Sequence, residues 1–244
     1  MSHDLARALA PTGVLRAGIN LSNFLLVTGR SAAGDPQGVS PDMAAAIAER
    51  LGVPVQYLPY ATPGEVTDAA ADEAWDIGLI GAEPARAKKI AFTAAYAEIE
   101  CTYLVPAGSP IRSVDEVDRP GIRIAVSARS AYDLWLDRNI EHAELVRAQG
   151  LDASFELFVE KRLDVLAGLR PRLLTEVEKL PGARVLEGKF SAVQQAVGTP
   201  RSRGEAAVAF LAQFVEEAKA SGFVAGLIER HGVTGRLSVA PPAD

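Results

Sequence analysis

Strand-length apolar runs alternate with capped, helix-length stretches along nearly the whole chain. That alternation confines it to an α/β fold with mostly parallel sheet. Val14-Leu15-Arg16-Ala17-Gly18-Ile19-Asn20 reads as a first strand, followed by a polar Gly/Asp loop from Gly29 to Gly38. Ser40-Pro41-Asp42 then predicts a helix start, with Ser40 as N-cap, proline at the first helical position and an acid in the first turn. The helix body, Met43 to Leu51, stops at Gly52. Val53 to Leu58 is the next strand, Thr62-Pro63 opens another helix, and Trp75 to Gly81 reads as a buried strand.

The same grammar continues from Ile122. A strand through Val126 leads to Ser130, which with Asp133 makes a capping box for a helix from Ala131 to Ile140. Further units fall at 143–146, 153–161, 163–167 and 172–180. Ser202 and Glu205 read as a second capping box, ahead of Val208, Leu211, Val215 and Ala218 on one helical face. Leu237 to Asp244, with its Pro-Pro pair, reads as a loose tail.

Composition removes several functional classes. At 244 residues the chain has room for one large domain or two modest ones. Its formal net charge of -6 offers no basic face, so no nucleic-acid partner is expected. A single cysteine, Cys101, excludes an internal disulfide and reads as a small packing residue in the strand Ile99 to Val105. His3, His142 and His231 are scattered, so neither a metal site nor a histidine-based triad is expected, and no cofactor. No apolar run approaches the ~18 residues needed to span a bilayer. Met1 to Arg7 lacks a cationic start followed by an apolar stretch, so no leader is visible. Two readings stand: a mature chain whose leader has been removed, or a chain that stays in the cytoplasm.

Asp76 to Tyr96, DIGLIGAEPARAKKIAFTAAY, resembles the signature of the family 3 extracellular solute-binding proteins, polar amino-acid receptors of ABC importers. That signature is a strand beginning with Asp, a Gly-containing turn, an Arg, then an aromatic-Ser/Thr-x-Pro-Tyr segment. Here Arg86 lies six residues before Phe92, with Thr93 and Tyr96 following. Gly38 to Met43 resembles the family's helix entry, and Ala218 to Phe223 its late helix-turn-helix. The chain looks closer still to a less characterised branch, through Asn20-Leu21-Ser22-Asn23, Pro84-Ala85-Arg86-Ala87, Ile99 to Val105 and Ser130-Ala131-Tyr132-Asp133-Leu134.

The resemblance implies a type II periplasmic binding protein: two Rossmann-like lobes joined by two crossing strands, near Glu100 to Val105 and Gln194 to Gly198. The expected division is 1–104 with 198–236 as lobe 1, 105–197 as lobe 2, and 237–244 as the tail. It also implies a non-enzymatic, periplasmic, monomeric receptor that holds a small anionic solute in the inter-lobe cleft and delivers it to the membrane permease of an ABC transporter. By the same resemblance, Arg86 takes the solute carboxylate, for which its planar fork is suited. The turn at Ser130 is a second anion site, or Ser130 is only an N-cap.

Two departures from the family stand out. The threonines that usually precede the Arg are absent from Gly81-Ala82-Glu83-Pro84-Ala85, and Leu169 stands where the family places the acid that holds an amine. Arg170 beside it is a candidate for a second acid group on the solute, or a solvated helix-start charge. Glu83 or Glu100 is a candidate replacement for the missing acid, while Glu83 serves equally as a partner for Arg86. Phe24 and Tyr132 read as aromatic lids or as core. Asn20 and Asn23 face a ligand or satisfy their own turn. The rival on the same fold is a cyclohexadienyl-dehydratase-like enzyme with Glu83 or Glu100 as general acid. A ligand-sensing module is a third.

Overall fold

The structure is a computed structural model that describes residues 3–243. Along the chain come α1 (His3–Leu9), β1 (Leu15–Asn20), a small ribbon of β2 (Gly29–Arg30) and β3 (Pro36–Gln37), α2 (Val39–Leu51), β4 (Val55–Tyr60) and α3 (Pro63–Ala69). Next are β5 (Ile77–Gly81), α4 (Pro84–Ala87), the long β6 (Ile90–Val105), β7 (Arg123–Ser127), α5 (Ala131–Asn139), β8 (Glu144–Ala148), α6 (Leu151–Glu160) and β9 (Val165–Leu169). The chain ends with α7 (Arg170–Glu176), β10 (Arg184–Val185), β11 (Ser191–Pro200), α8 (Glu205–Ala220), α9 (Phe223–Arg230) and β12 (Ser238–Val239).

Contacts divide the chain into two compact α/β units, which are described separately. Unit 1 holds residues up to Glu98 and from Gln194 onward; unit 2 is Ile99–Val193. The backbone passes between them twice, inside β6 and inside β11.

In unit 1, β4, β1 and β5 run parallel, and β11 joins β5 antiparallel with Val197 opposite Leu79. All five residues of β5 are buried, as expected of a central strand with both faces covered. Below it Trp75, fully buried, packs with Val66, Ala70, Ile80 and Ile90. The entry to α2 differs from the sequence expectation. The helix starts two residues earlier, at Val39, behind Gly38 at φ 149°. A Cβ on Gly38 would sit 2.2 Å from the Leu26 carbonyl oxygen, so the approach of two backbones dictates glycine there. Ser40, released from capping, shares a 2.9 Å hydrogen bond with the Tyr96 hydroxyl. Burial pushes the Tyr96 phenol up from its ordinary pKa, so it stays protonated as a structural group.

The second predicted capping box is also replaced. Gly204 precedes α8 without a side-chain cap, and the Ser202 hydroxyl donates to Glu73 at 2.6 Å. Residues 237–244 are not wholly loose either. Ser238 and Val239 pair antiparallel with Glu98 and Ala97 of β6, and the Ala240 N–H donates to the Tyr96 carbonyl. An exposed strand edge is a row of unpaired backbone groups, and the tail satisfies part of that row.

Asp76, which opens the signature, is fully buried and acts as a fastening. Its carboxylate accepts from the Arg16 backbone N–H, from the Arg16 guanidinium at 2.8 Å and from Arg203 at 2.9 Å. Its hydrogen bond, ahead of simple charge attraction, raises the Arg16 pKa. Asp76→Asn leaves two guanidinium groups facing a neutral amide. The expected cost is about 3 kcal/mol, as for a buried ion pair deprived of one partner. Urea unfolding checks it, with the midpoint falling and the slope unchanged.

In unit 2, β9, β7 and β8 are parallel, and β6 joins β9 antiparallel with Cys101 opposite Leu169. Leu104, Ala125, Phe158, Leu163, Leu166 and Leu173 form its core. Cys101 is fully buried within β6. No helix among the described residues is long and apolar enough to cross a membrane.

Candidate functional site

In unit 1 the candidate residues sit on the turns that leave β1 and β5. Glu83 precedes α4 in an extended conformation, and its carbonyl accepts the N–H groups of Arg86 and Ala87 at 2.9 Å. Pro84 sets the first turn, since a missing N–H costs nothing there. This four-residue helix points Arg86 inward, where it is only 2% exposed. Its Nη1 donates to the Gly81 carbonyl at 2.7 Å, which fixes the plane of the guanidinium. A planar fork held in this way is suited to two oxygens of one carboxylate.

Asn20 and Asn23 turn out to organise the loop after β1. The Asn20 side-chain oxygen accepts from the Ser22 N–H at 3.1 Å and from the Ser22 hydroxyl at 2.7 Å. The Asn23 oxygen accepts from the N–H groups of Leu25 and Leu26, and Asn23 is buried. Both acceptors are therefore committed to their own backbone, which leaves the amide N–H groups for any ligand role. Phe24, which follows Asn23, is half-buried.

In unit 2 the strand-to-helix turn after β7 is internally satisfied. Ser130 is the N-cap of α5, accepting from the Asp133 N–H at 3.1 Å. The reciprocal arm of the expected capping box reaches one residue further back: the Asp133 carboxylate accepts the Arg129 N–H at 2.7 Å. Asp133, 3% exposed, also accepts from Arg147 at 2.9 Å, so a protein carboxylate already lies against this helix start. The N-cap role read for Ser130 is thus present in the structure. Tyr132 is likewise a core group, 3% exposed. Its phenol hydrogen-bonds to Ser127 and Ser130, while burial keeps its pKa well above the ordinary tyrosine range.

In the sequence Glu100 is one of two candidates for a solute's amine, and Arg170 is a candidate for a second acid group or a solvated helix-start charge; the structure pairs them with each other. Antiparallel pairing of Cys101 with Leu169 places Glu100 opposite Arg170 one step along. The Arg170 Nε donates to Glu100 at 2.9 Å, and its terminal nitrogens reach the Leu186 and Gly188 carbonyls. Lys189 approaches the other Glu100 oxygen at 3.5 Å. Opposite charges facing across a ladder pair at little entropic cost. Sequence spacing alone does not reveal this, because it depends on strand register. Leu169 is buried in β9.

Ser127 and Asp133 are the polar groups of this turn that the sequence reading did not place as site residues. Asp133 was visible only as half of a capping box. No group of three or more His, Cys, Asp or Glu residues among the described residues is arranged to hold a metal ion.

Two α/β units joined by two crossing strands, each built on a largely parallel sheet, define the class of type II periplasmic binding proteins. Residues 21–234 match the model of the bacterial extracellular solute-binding proteins, family 3, and the chain belongs to that family.

Solved structures agree on the fold. A mutant of ArgBP from T. maritima is similar with a TM-score of 0.73 at 19% identity, covering 93% of this chain and 99% of that one. A substrate binding protein of an amino acid ABC transporter gives 0.70 at 18%, covering 89% and 98%. An ancestral amino acid-binding protein, a precursor of cyclohexadienyl dehydratase, gives 0.71 at 20%, covering 92% and 98%. No curated protein sequence matches the chain.

Proposed function

We propose that this protein is a non-catalytic receptor that captures a small carboxylate-bearing solute, amino-acid-like or an organic acid, and passes it to an ABC importer from the periplasm. The observation that carries this reading is Arg86: a buried guanidinium, oriented by the Gly81 carbonyl, in the turn where the sequence resemblance puts the carboxylate-binding Arg. Similar structures described as amino acid-binding, or as serving an amino acid ABC transporter, support the same solute class. The amine contact is where this chain departs. Leu169 is apolar and buried, and Glu100 is held by Arg170 and Lys189. The solute therefore presents its carboxylate without a conventional contact to an α-amino group, and Glu83 is the acid left to test. Glu100, half-exposed, is already bridged to Arg170 and Lys189, which argues against its serving as the general acid of the rival enzyme.

Thermal-shift screening against monocarboxylates, dicarboxylates, aromatic acids and amino acids tests the proposal. A true ligand at a hundred times its dissociation constant should add about 2.7 kcal/mol of stability. Tight binding only of a cationic amino acid, lost on Glu83→Gln, would replace this reading with an amine-recognising one. Turnover of prephenate or arogenate would replace it with the enzyme.

Arg170→Ala separates the solute from the internal strap. Because its fork is already spent on Glu100 and two carbonyls, affinity for mono- and dicarboxylates should change by less than about twofold. Stability should fall by about 1 kcal/mol, the scale of a partly exposed pair with its backbone bonds. Calorimetry and urea unfolding read the two effects separately.

A further inference from the structure

We infer that unit 2 carries a second binding site, unconnected with the residues proposed for the transported solute, that takes an amphipathic monocarboxylate tail-first. A cavity of about 340 Å³ opens beside the C-terminal end of α6, lined by Phe158, Leu163, Leu180, Pro106 and Pro181, with Val159 and Arg162 at its mouth. That volume lies within the range of small-molecule pockets, about 300–1,000 Å³. Phe158 and Leu163 are 3% and 4% exposed and belong to the unit 2 core, so the apolar wall is part of a packed cluster. Val159 is 43% exposed, a large aliphatic side chain left in water at the entrance. An alkyl or aryl tail entering here removes apolar surface from water on both sides.

The charge at the mouth sets the class of head group. The Arg162 guanidinium has no ion-pair or hydrogen-bond partner among the described residues; the residue's bonds are backbone ones, its N–H donating to the Val159 carbonyl at 3.2 Å and its carbonyl accepting from Arg123 at 2.8 Å. Arg162 also sits at φ 48°, a left-handed conformation more natural to glycine or asparagine. The long cationic side chain is thus carried at a position where backbone preference argues against it. One apolar cavity with one unpartnered cation beside it is complementary to a single carboxylate on a hydrophobic tail, and an amine or a dianion fits it less well.

Octanoate is the probe, followed by methyl NMR on the intact chain. Its addition should shift the methyl signals of Val159, Leu163 and Leu180, saturating at a dissociation constant on the order of millimolar, as expected for ten non-hydrogen atoms. Octan-1-ol should bind the same methyls about fivefold more weakly, the scale of one partly exposed charge interaction. Arg162→Gly relaxes the left-handed backbone while deleting the cation, so it should fold and bring the two affinities together. Arg162→Gln, which keeps the length, should do the same. Equal affinities of octanoate and octan-1-ol in the unaltered protein would overturn the assignment. So would octanoate shifts confined to methyls elsewhere, or a preference for octanoate that survives both substitutions. Arg86→Ala should leave these shifts unchanged, which keeps a failure here distinct from a failure of the solute site.

Discussion

Replacing Trp75 with alanine is expected to cost about 3–5 kcal/mol, the largest stability loss of any single truncation in unit 1. Trp75 is fully buried, and its indole N–H donates to the Val66 carbonyl at 2.9 Å. The sheet is shaped around its ring. Cβ atoms placed on Gly18 of β1 and Gly78 of β5 would each lie 3.0 Å from the indole, so two adjacent strands both give up a side chain to admit it. The neighbours cannot collapse into the space that truncation leaves. Strands β1 and β5 are held in parallel register, with Gly18 opposite Gly78, and Asp76 next to Trp75 is bound to Arg16 and Arg203. Most of the cavity penalty therefore persists. Denaturant unfolding followed by circular dichroism measures the loss, and a value below about 1.5 kcal/mol would mean that the site relaxes after all. Gly78→Ala with Trp75 intact should also destabilise. The same change in a Trp75→Ala background should cost less, a coupling that only direct contact produces.

That packing marks how far sequence alone reached. The order of strands and helices was legible because the apolar runs and the Thr62-Pro63 and Ser130 starts are local signals, and the structure honours them: Thr62 accepts the Glu65 N–H at 3.2 Å. The family was legible at Asp76 to Tyr96, although most of those residues serve the framework. Asp76 clamps β1, Thr93 accepts the Val197 N–H, and Tyr96 meets Ser40. What sequence did not show was set by register and by close backbone approach. Ser40 lost its capping role because Gly38 against Leu26 begins the helix two residues early. Ser202 lost its own because Glu73, more than a hundred residues away in the chain, lies within reach. Glu100 and Arg170 read as two independent candidates, and they pair because the Cys101–Leu169 register sets them opposite each other. Local patterns carry element type; pairing of charges across a sheet does not appear in them.

Arg86→Ala is expected to raise the dissociation constant for the carboxylate solute by about thirtyfold or more. Truncating one member of a desolvated, hydrogen-bonded charge pair costs about 2–5 kcal/mol, and each 1.4 kcal/mol is tenfold. The expectation rests on burial: at 2% exposure, the guanidinium works in a medium that screens it far less than water does. Charge alone is not the whole of it, because the Gly81 carbonyl fixes the orientation of the fork. Arg86→Lys keeps the cation and loses the bidentate geometry, so it should recover only part of the affinity. The variant also removes a donor from the Gly81 carbonyl, so folding must be measured beside binding. A stable Arg86→Ala protein that still binds its best thermal-shift ligand within about threefold would show that the carboxylate is held elsewhere. If affinity falls while the Arg170→Ala protein keeps its own, the anion site belongs to the turn after β5, and the Glu100–Arg170 pair is part of the framework.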